Sequence, residues 1–236
     1  MNSFTLTRLE MARILRSMAG EHELKPIEIL QQAWRRTERP LETAPLPAIV
    51  EKLMRCGERK GLSLQEIAEL GGLIEFSALT ATSMQNWVKR DFKSYFDSPK
   101  AGKKYSLNQA ALLFIIDDLK SNLDFESIRG FFAHLLPSTD GDGRKSSAWI
   151  EPIAFLECYA AIFQRLDGHV IGRCSLEGDR HIRMQAKAAA ETLDGLNGIQ
   201  RAAAGNLLAV AVISIQSSYF QTLARQYCNA TLFLQI

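Results

Sequence analysis

Cysteine is scarce in this chain and never paired. Cys56, Cys158, Cys174 and Cys228 form no C-x-x-C element, which excludes a zinc ribbon and points to free thiols in a reduced, cytoplasmic protein. Long apolar runs are also missing. No run is longer than that of Leu207–Ile213, which is closed by Asn206 and Ser214. It is too short for a membrane span and is expected to be a buried helix. Arg8, Glu10, Arg13 and Arg16 interrupt the start of the chain, so no secretory leader is expected.

Catalytic and cofactor signatures are lacking as well. There is no G-x-x-x-x-G-K-[ST], no G-x-G-x-x-G and no G-x-S-x-G. His169, Cys174, His181 and Cys158 follow no standard ligand spacing. Asp117 and Asp118 are neighbours on a helix and face different ways, so they read as a solvated pair, with Asp118 available to a lysine. The expectation is a protein without enzymatic activity, cofactor or metal. The formal net charge is only +2, which rules out a uniformly basic nucleic-acid coat. Alternation of β-branched residues is nearly absent, so the fold class is all-α, with at most a small hairpin.

What is present is an ordinary folded composition, 47% hydrophobic and 23% charged. Three regions emerge. Residues 1–62 form an N-terminal helical segment, with Leu6, Leu9, Met11, Leu15 and Met18 in helical period, a second helix after Pro26 and a third carrying Ile49, Val50 and Leu53. The polar, glycine-rich stretch Pro137–Ser147 separates a middle region, 63–136, from a C-terminal region, 146–236. The last region reads as three helices, at about 148–165, 180–196 and 200–228. Its alanine-rich surfaces suit a helical bundle.

The middle region carries the informative pattern. Ser63 with Glu66, Thr82 with Gln85, and Ser106 with Gln109 each match a capping box, with Thr80 a competing cap for the second of these helices. Asp124 caps a further helix. Charge is concentrated here. Between residues 80 and 106, Lys89, Arg90, Lys93, Lys100, Lys103 and Lys104 face only Asp91 and Asp97, a local net of 6 − 2 = +4. Cations that neutralise phosphates supply most of the sequence-independent affinity for DNA, so this is where a footprint is expected. With Met84, Trp87 and Val88 turned inward, Thr82, Ser83, Gln85, Asn86, Lys89 and Arg90 face outward. Gln85 and Asn86 suit adenine, Lys89 and Arg90 suit guanine or phosphate, and the hydroxyls suit phosphate.

The run Lys103-Lys104-Tyr105-Ser106-Leu107-Asn108-Gln109-Ala110 resembles the wing of the MerR family and the start of the helix that follows it. Leu123-Asp124-Phe125-Glu126-Ser127-Ile128-Arg129 resembles the MerR segment in which an acidic cap precedes an Ile-Arg pair. With Asn86-Trp87-Val88-Lys89-Arg90, this region is similar to an uncharacterised bacterial family, a domain of unknown function with a MerR-like winged helix. The likeness spans about residues 70–136. It implies a MerR-like winged helix-turn-helix flanked by N-terminal helices and a C-terminal bundle, with Asn86, Lys89 and Arg90 on the recognition face and Lys103, Lys104 and Tyr105 in the wing. Three features depart from the family: a long connection from Gly71 to Leu79, Ala78 in place of a turn glycine, and no heptad helix after Phe132. The implied function is a transcription regulator that binds double-stranded DNA, with a homodimer through the C-terminal helices and an unspecified small-molecule effector as further partners. The alternative is a helical interaction or sensory module that keeps the winged shape without touching DNA.

Overall fold

Side-chain hydroxyls start many of the helices. Thr7 caps α1 (Arg8–Ala19), Ser63 caps α4 (Leu64–Gly71) and Ser106 caps α6 (Leu107–Leu119), each completing a box with Glu10, Glu66 or Gln109. Thr80 caps α5 (Ala81–Asn86) by accepting the Ser83 N–H. Thr80, and not Thr82, is therefore the cap, and Thr82 sits exposed in the first turn. Asp124 accepts the Ser127 N–H at 2.7 Å and opens α7 (Phe125–Leu135). The remaining helices are α2 (Pro26–Arg36), α3 (Ala48–Arg55), α8 (Pro152–Leu166), α9 (Leu176–Glu191) and α10 (Gly198–Phe233). The computed structural model describes residues 4–36, 47–55, 59–97, 99, 103–135, 150–166 and 176–233. The stretch Pro137–Ser147 lies outside them, as do Cys56, Lys100, His169 and Cys174.

The protein is mostly helical, as its sequence pattern predicts. The sheet differs from expectation. It is not a hairpin within the basic loop. Leu62–Ser63 (β1) pairs antiparallel with Lys104–Tyr105 (β2), in the register Leu62 to Tyr105 and Ser63 to Lys104. The basic loop thus returns to the residues just before α4. Gly61 permits this, because a Cβ there would be driven into the carbonyl oxygen of Tyr105.

All three sequence regions share one hydrophobic core that runs from Phe4 to Ile215. At its centre is α6, buried along almost its whole length and packed by α1, α8 and α10. A helix that is apolar on every side must be surrounded. The α10 helix is the long element of the fold. Its 36 residues extend about 54 Å at the usual 1.5 Å rise. Ala204, Leu207, Leu208, Ala211, Val212 and Ile215 are buried against neighbouring helices, whereas Phe220, Tyr227 and Leu232 are exposed. By length and composition α10 also meets the requirement for crossing a bilayer, although its N-terminal half occupies the position of a core helix.

Asp117 and Asp118 are not a solvated pair. They are 7% and 4% exposed, because α6 presents no open face. Arg8 grips Asp118 through Nε at 2.9 Å and Nη2 at 2.7 Å, and its Nη1 donates to the Glu75 carbonyl at 2.7 Å. The Tyr159 hydroxyl donates to the second Asp118 oxygen at 2.8 Å. Asp117 accepts the Ser77 hydroxyl at 2.8 Å and pairs with Lys120 at 2.7 Å. The lysine therefore belongs to Asp117. Burial works against the charge on Arg8, but Asp118 more than restores it and lifts the guanidinium above its ordinary value. Burial, then the Asp118 charge, pushes the Tyr159 hydroxyl well above its usual range, which keeps it a donor.

Candidate nucleic-acid interface

The helix α5 is short and apolar on one side. Met84 is fully buried, and Trp87 and Val88 are 3% and 7% exposed. On the other side Thr82, Gln85, Asn86, Lys89 and Arg90 are exposed, and Ser83 is half-buried with its hydroxyl 2.9 Å from that of Thr80. The α-helix gives way at Trp87 to a π-helical stretch through Asp91, closed by the Phe92 N–H donating to the Trp87 carbonyl at 2.8 Å. Such wide turns cluster at functional positions. Here the widened turn carries Lys89 and Arg90. A 3-10 turn, Lys93–Tyr95, follows with Lys93 exposed.

An aromatic cluster holds this stretch from behind. Phe92 meets Phe125 at 5.3 Å between ring centroids and Phe132 at 6.0 Å. Trp87 meets Phe125 edge-on at 6.4 Å, and the Lys120 ammonium lies 4.9 Å from the Trp87 ring centroid. These rings are core, so they are not available as stacking platforms for bases.

Lys103 and Lys104 are both exposed where the loop enters β2, and Lys103 adopts a left-handed backbone, φ 56°. Tyr105 differs from its assignment to the wing surface. It is 8% exposed and packs edge-on against Phe96 at 6.3 Å, so its ring anchors the loop from inside. Arg129 is a site residue that spacing alone did not single out. It lines a shallow groove of about 710 Å³ together with Arg90 and Lys93. Its guanidinium donates to the Asp91 carbonyl at 3.1 Å, and its own carbonyl accepts the Tyr95 hydroxyl at 3.0 Å. The Ile-Arg pair at 128–129 was the available signal: Ile128 is fully buried, which turns its neighbour outward. Asp91 and Asp97 line the same groove, so its three cations leave a net charge of 3 − 2 = +1 toward an anion such as a phosphate. Among the described residues no three His, Cys, Asp or Glu side chains gather into a metal-ligating cluster.

These elements coincide with a recognised segment. Residues 62–151, from β1 through the end of α7 to the threshold of α8, match the family described as Domain of unknown function (DUF1836), and the chain belongs to that family. It is 35% identical over 233 residues to a Bacillus subtilis (strain 168) protein called "Uncharacterized protein YkrK", covering 96% of this chain and 97% of that relative. The likeness therefore extends through the flanking helices as well as the middle segment. No solved structure matches.

Proposed function

We propose that residues 62–135 are a MerR-type winged helix-turn-helix that binds double-stranded DNA, and that the protein regulates transcription. The observation that carries this reading is the division of α5 and its π-helical continuation into two faces: Met84, Trp87 and Val88 are buried, while Gln85, Asn86, Lys89 and Arg90 are exposed. The order of elements supports it too. A capped helix, a connection and a second capped helix are followed by a basic loop pinned to the start of the unit by two strands.

In this reading α5 enters the major groove. Gln85 and Asn86 read adenine, and Lys89 and Arg90 reach guanine or phosphate. Thr82 and Ser83 meet backbone oxygens near the helix start. Lys93 with Arg129 on one side, and Lys103 with Lys104 on the other, neutralise phosphates and set the register. Tyr105 acts by holding the wing.

A second copy of the chain completes the unit. Exposed Ile213, Phe220 and Tyr227 recur every seven residues on α10, with Leu223 and Ala230 at the intervening positions of a heptad. The stripe spans about two heptads, with Gln216 at the first intervening position, and is offered as a short helix-to-helix contact. Two copies joined through this stripe would offer two recognition helices to a two-fold site.

Selection from a random duplex pool tests the reading. The full chain should enrich a defined sequence, and the double change Lys89→Ala with Arg90→Ala should abolish capture while leaving the thermal midpoint unchanged. A chain that captures no duplex serves instead as a helical interaction module, and capture that survives the double change overturns the assignment of Lys89 and Arg90 to the contact surface.

A further inference from the structure

A cavity of about 300 Å³ lies between the α4–α5 connection, α6, the first residue of α7 and the middle of α10. We infer that it binds a small amphipathic carboxylate, aromatic or branched aliphatic, and that the occupant acts on α5. The consequence for DNA rests on the reading above; binding and its effect on α5 do not.

The volume stands at the lower end of small-molecule sites, about 300–1,000 Å³. Phe76 and Phe125 give the cavity an apolar wall. Asp117 and Asp118 also line it, but both are spent: one on Ser77 and Lys120, the other on Arg8 and Tyr159. A cationic ligand would meet no carboxylate that is not already neutralised. Arg225, exposed on α10 and lining the same cavity, has no ion-pair partner among the described residues. Gln221, one turn earlier, adds an amide. The uncommitted charge on the described wall is therefore positive. A guanidinium takes a carboxylate through two parallel hydrogen bonds. The apolar body of such an acid then fits against the two phenylalanines.

The walls of this cavity lead to the recognition helix by three routes. The Phe125 ring meets Trp87 and Phe92 edge-on. The Lys120 ammonium lies over Trp87. Phe76 belongs to the connection that ends at Thr80, the cap of α5, and its backbone is left-handed at φ 62°. A bulky aromatic residue in that conformation is strained and persists because its surroundings hold it, here Tyr219 of α10 at 5.0 Å and the Arg8 bond to the preceding carbonyl. An occupant that wedges between Phe76 and Phe125 shifts the balance between two settings of α5. It does so to the extent that it binds one setting more tightly than the other.

The test uses the full chain and three acids, benzoate, 3-phenylpropionate and 4-methylpentanoate, each beside its neutral amide. Binding is measured by saturation-transfer NMR and calorimetry. Trp87 emission is followed in a Trp34→Phe, Trp149→Phe background. At least one acid should bind about tenfold more tightly than its amide, as expected for a charge-assisted contact. Arg225→Gln should erase that preference, Arg225→Lys should retain part of it, and saturation should shift Trp87 emission. The inference is overturned if no acid is preferred over its amide, if Arg225→Gln leaves the preference intact, or if saturation leaves Trp87 emission unmoved. None of these readouts contains DNA, so failure to capture duplex is a separate result.

Discussion

The most consequential contacts at the residue scale are the bonds that Asp118 makes to Arg8 and Tyr159. They tie α1, α6 and α8 together at a point where all three side chains are at most 5% exposed. A buried ion pair is costly to break, because the survivor keeps its charge without a partner. Arg8→Met should lower unfolding stability by about 3–5 kcal/mol in urea titrations. Adding Asp118→Leu should recover much of that loss, since it removes the stranded carboxylate. Neither partner was legible from the other. They stand 110 positions apart in the chain, and helical period reports burial rather than pairing. The readable clue was that α6 has apolar residues all round and carries two acids, so both acids had to be buried and in need of donors.

Glu66 makes a second residue-scale prediction. Burial disfavours its charge, but Lys52, the Ser63 N–H and Arg59 outweigh that and hold the carboxyl at about 2. The folded value lies below the unfolded one of 4.5. The stabilisation is therefore complete above pH 4.5 and is lost as pH falls toward 2. Because Lys52 is half-exposed and screened, this amounts to about 2 kcal/mol. Comparing wild type with Glu66→Gln by urea denaturation from pH 7 to pH 2 should show a gap that closes on acidification. A gap independent of pH would contradict the assignment.

Local chemistry was the legible part at the scale of elements. The boxes at Ser63 and Ser106 and the Asp124 cap stand where their spacing places them, because capping depends on residues three apart. Replacing Ser106 with Ala should cost about 1 kcal/mol of stability. The β pair was not legible, since each strand is two residues long and too short to show alternation. The π-helical stretch after Asn86 was not either, for its residues satisfy a normal helical pattern until the Phe92 bond closes one position late. Gly61→Val tests how the β pair is made. Its side chain would collide with the Tyr105 carbonyl, so β1 should part from β2 and the amides of Leu62 and Tyr105 should lose hydrogen-exchange protection, with α8–α10 unaffected. Retained protection at both amides would show that the glycine is not required.

For the whole molecule, the three sequence regions share one hydrophobic core, with α1, α8 and α10 of the first and last regions packed around α6 of the middle one. Separation along the chain says little about such packing, since α1 and α8 meet across more than a hundred residues. The exposed stripe on α10 leads to a prediction at the same scale. If the proposed dimer forms through this stripe, Phe220→Ser with Tyr227→Ser should convert it into a monomer in sedimentation velocity, while the circular dichroism of the core persists.

The proposed DNA contact is tested most directly by salt. The logarithm of duplex affinity should fall linearly with the logarithm of salt concentration, with a slope of about −4 or steeper per recognition unit, for the cations around α5 and β2. Lys104→Ala should flatten that slope by about one and weaken all sequences alike, whereas Asn86→Ala should leave the slope unchanged and weaken only the selected sequence. Absence of duplex binding at low salt, or a slope that ignores Lys104, would contradict the account.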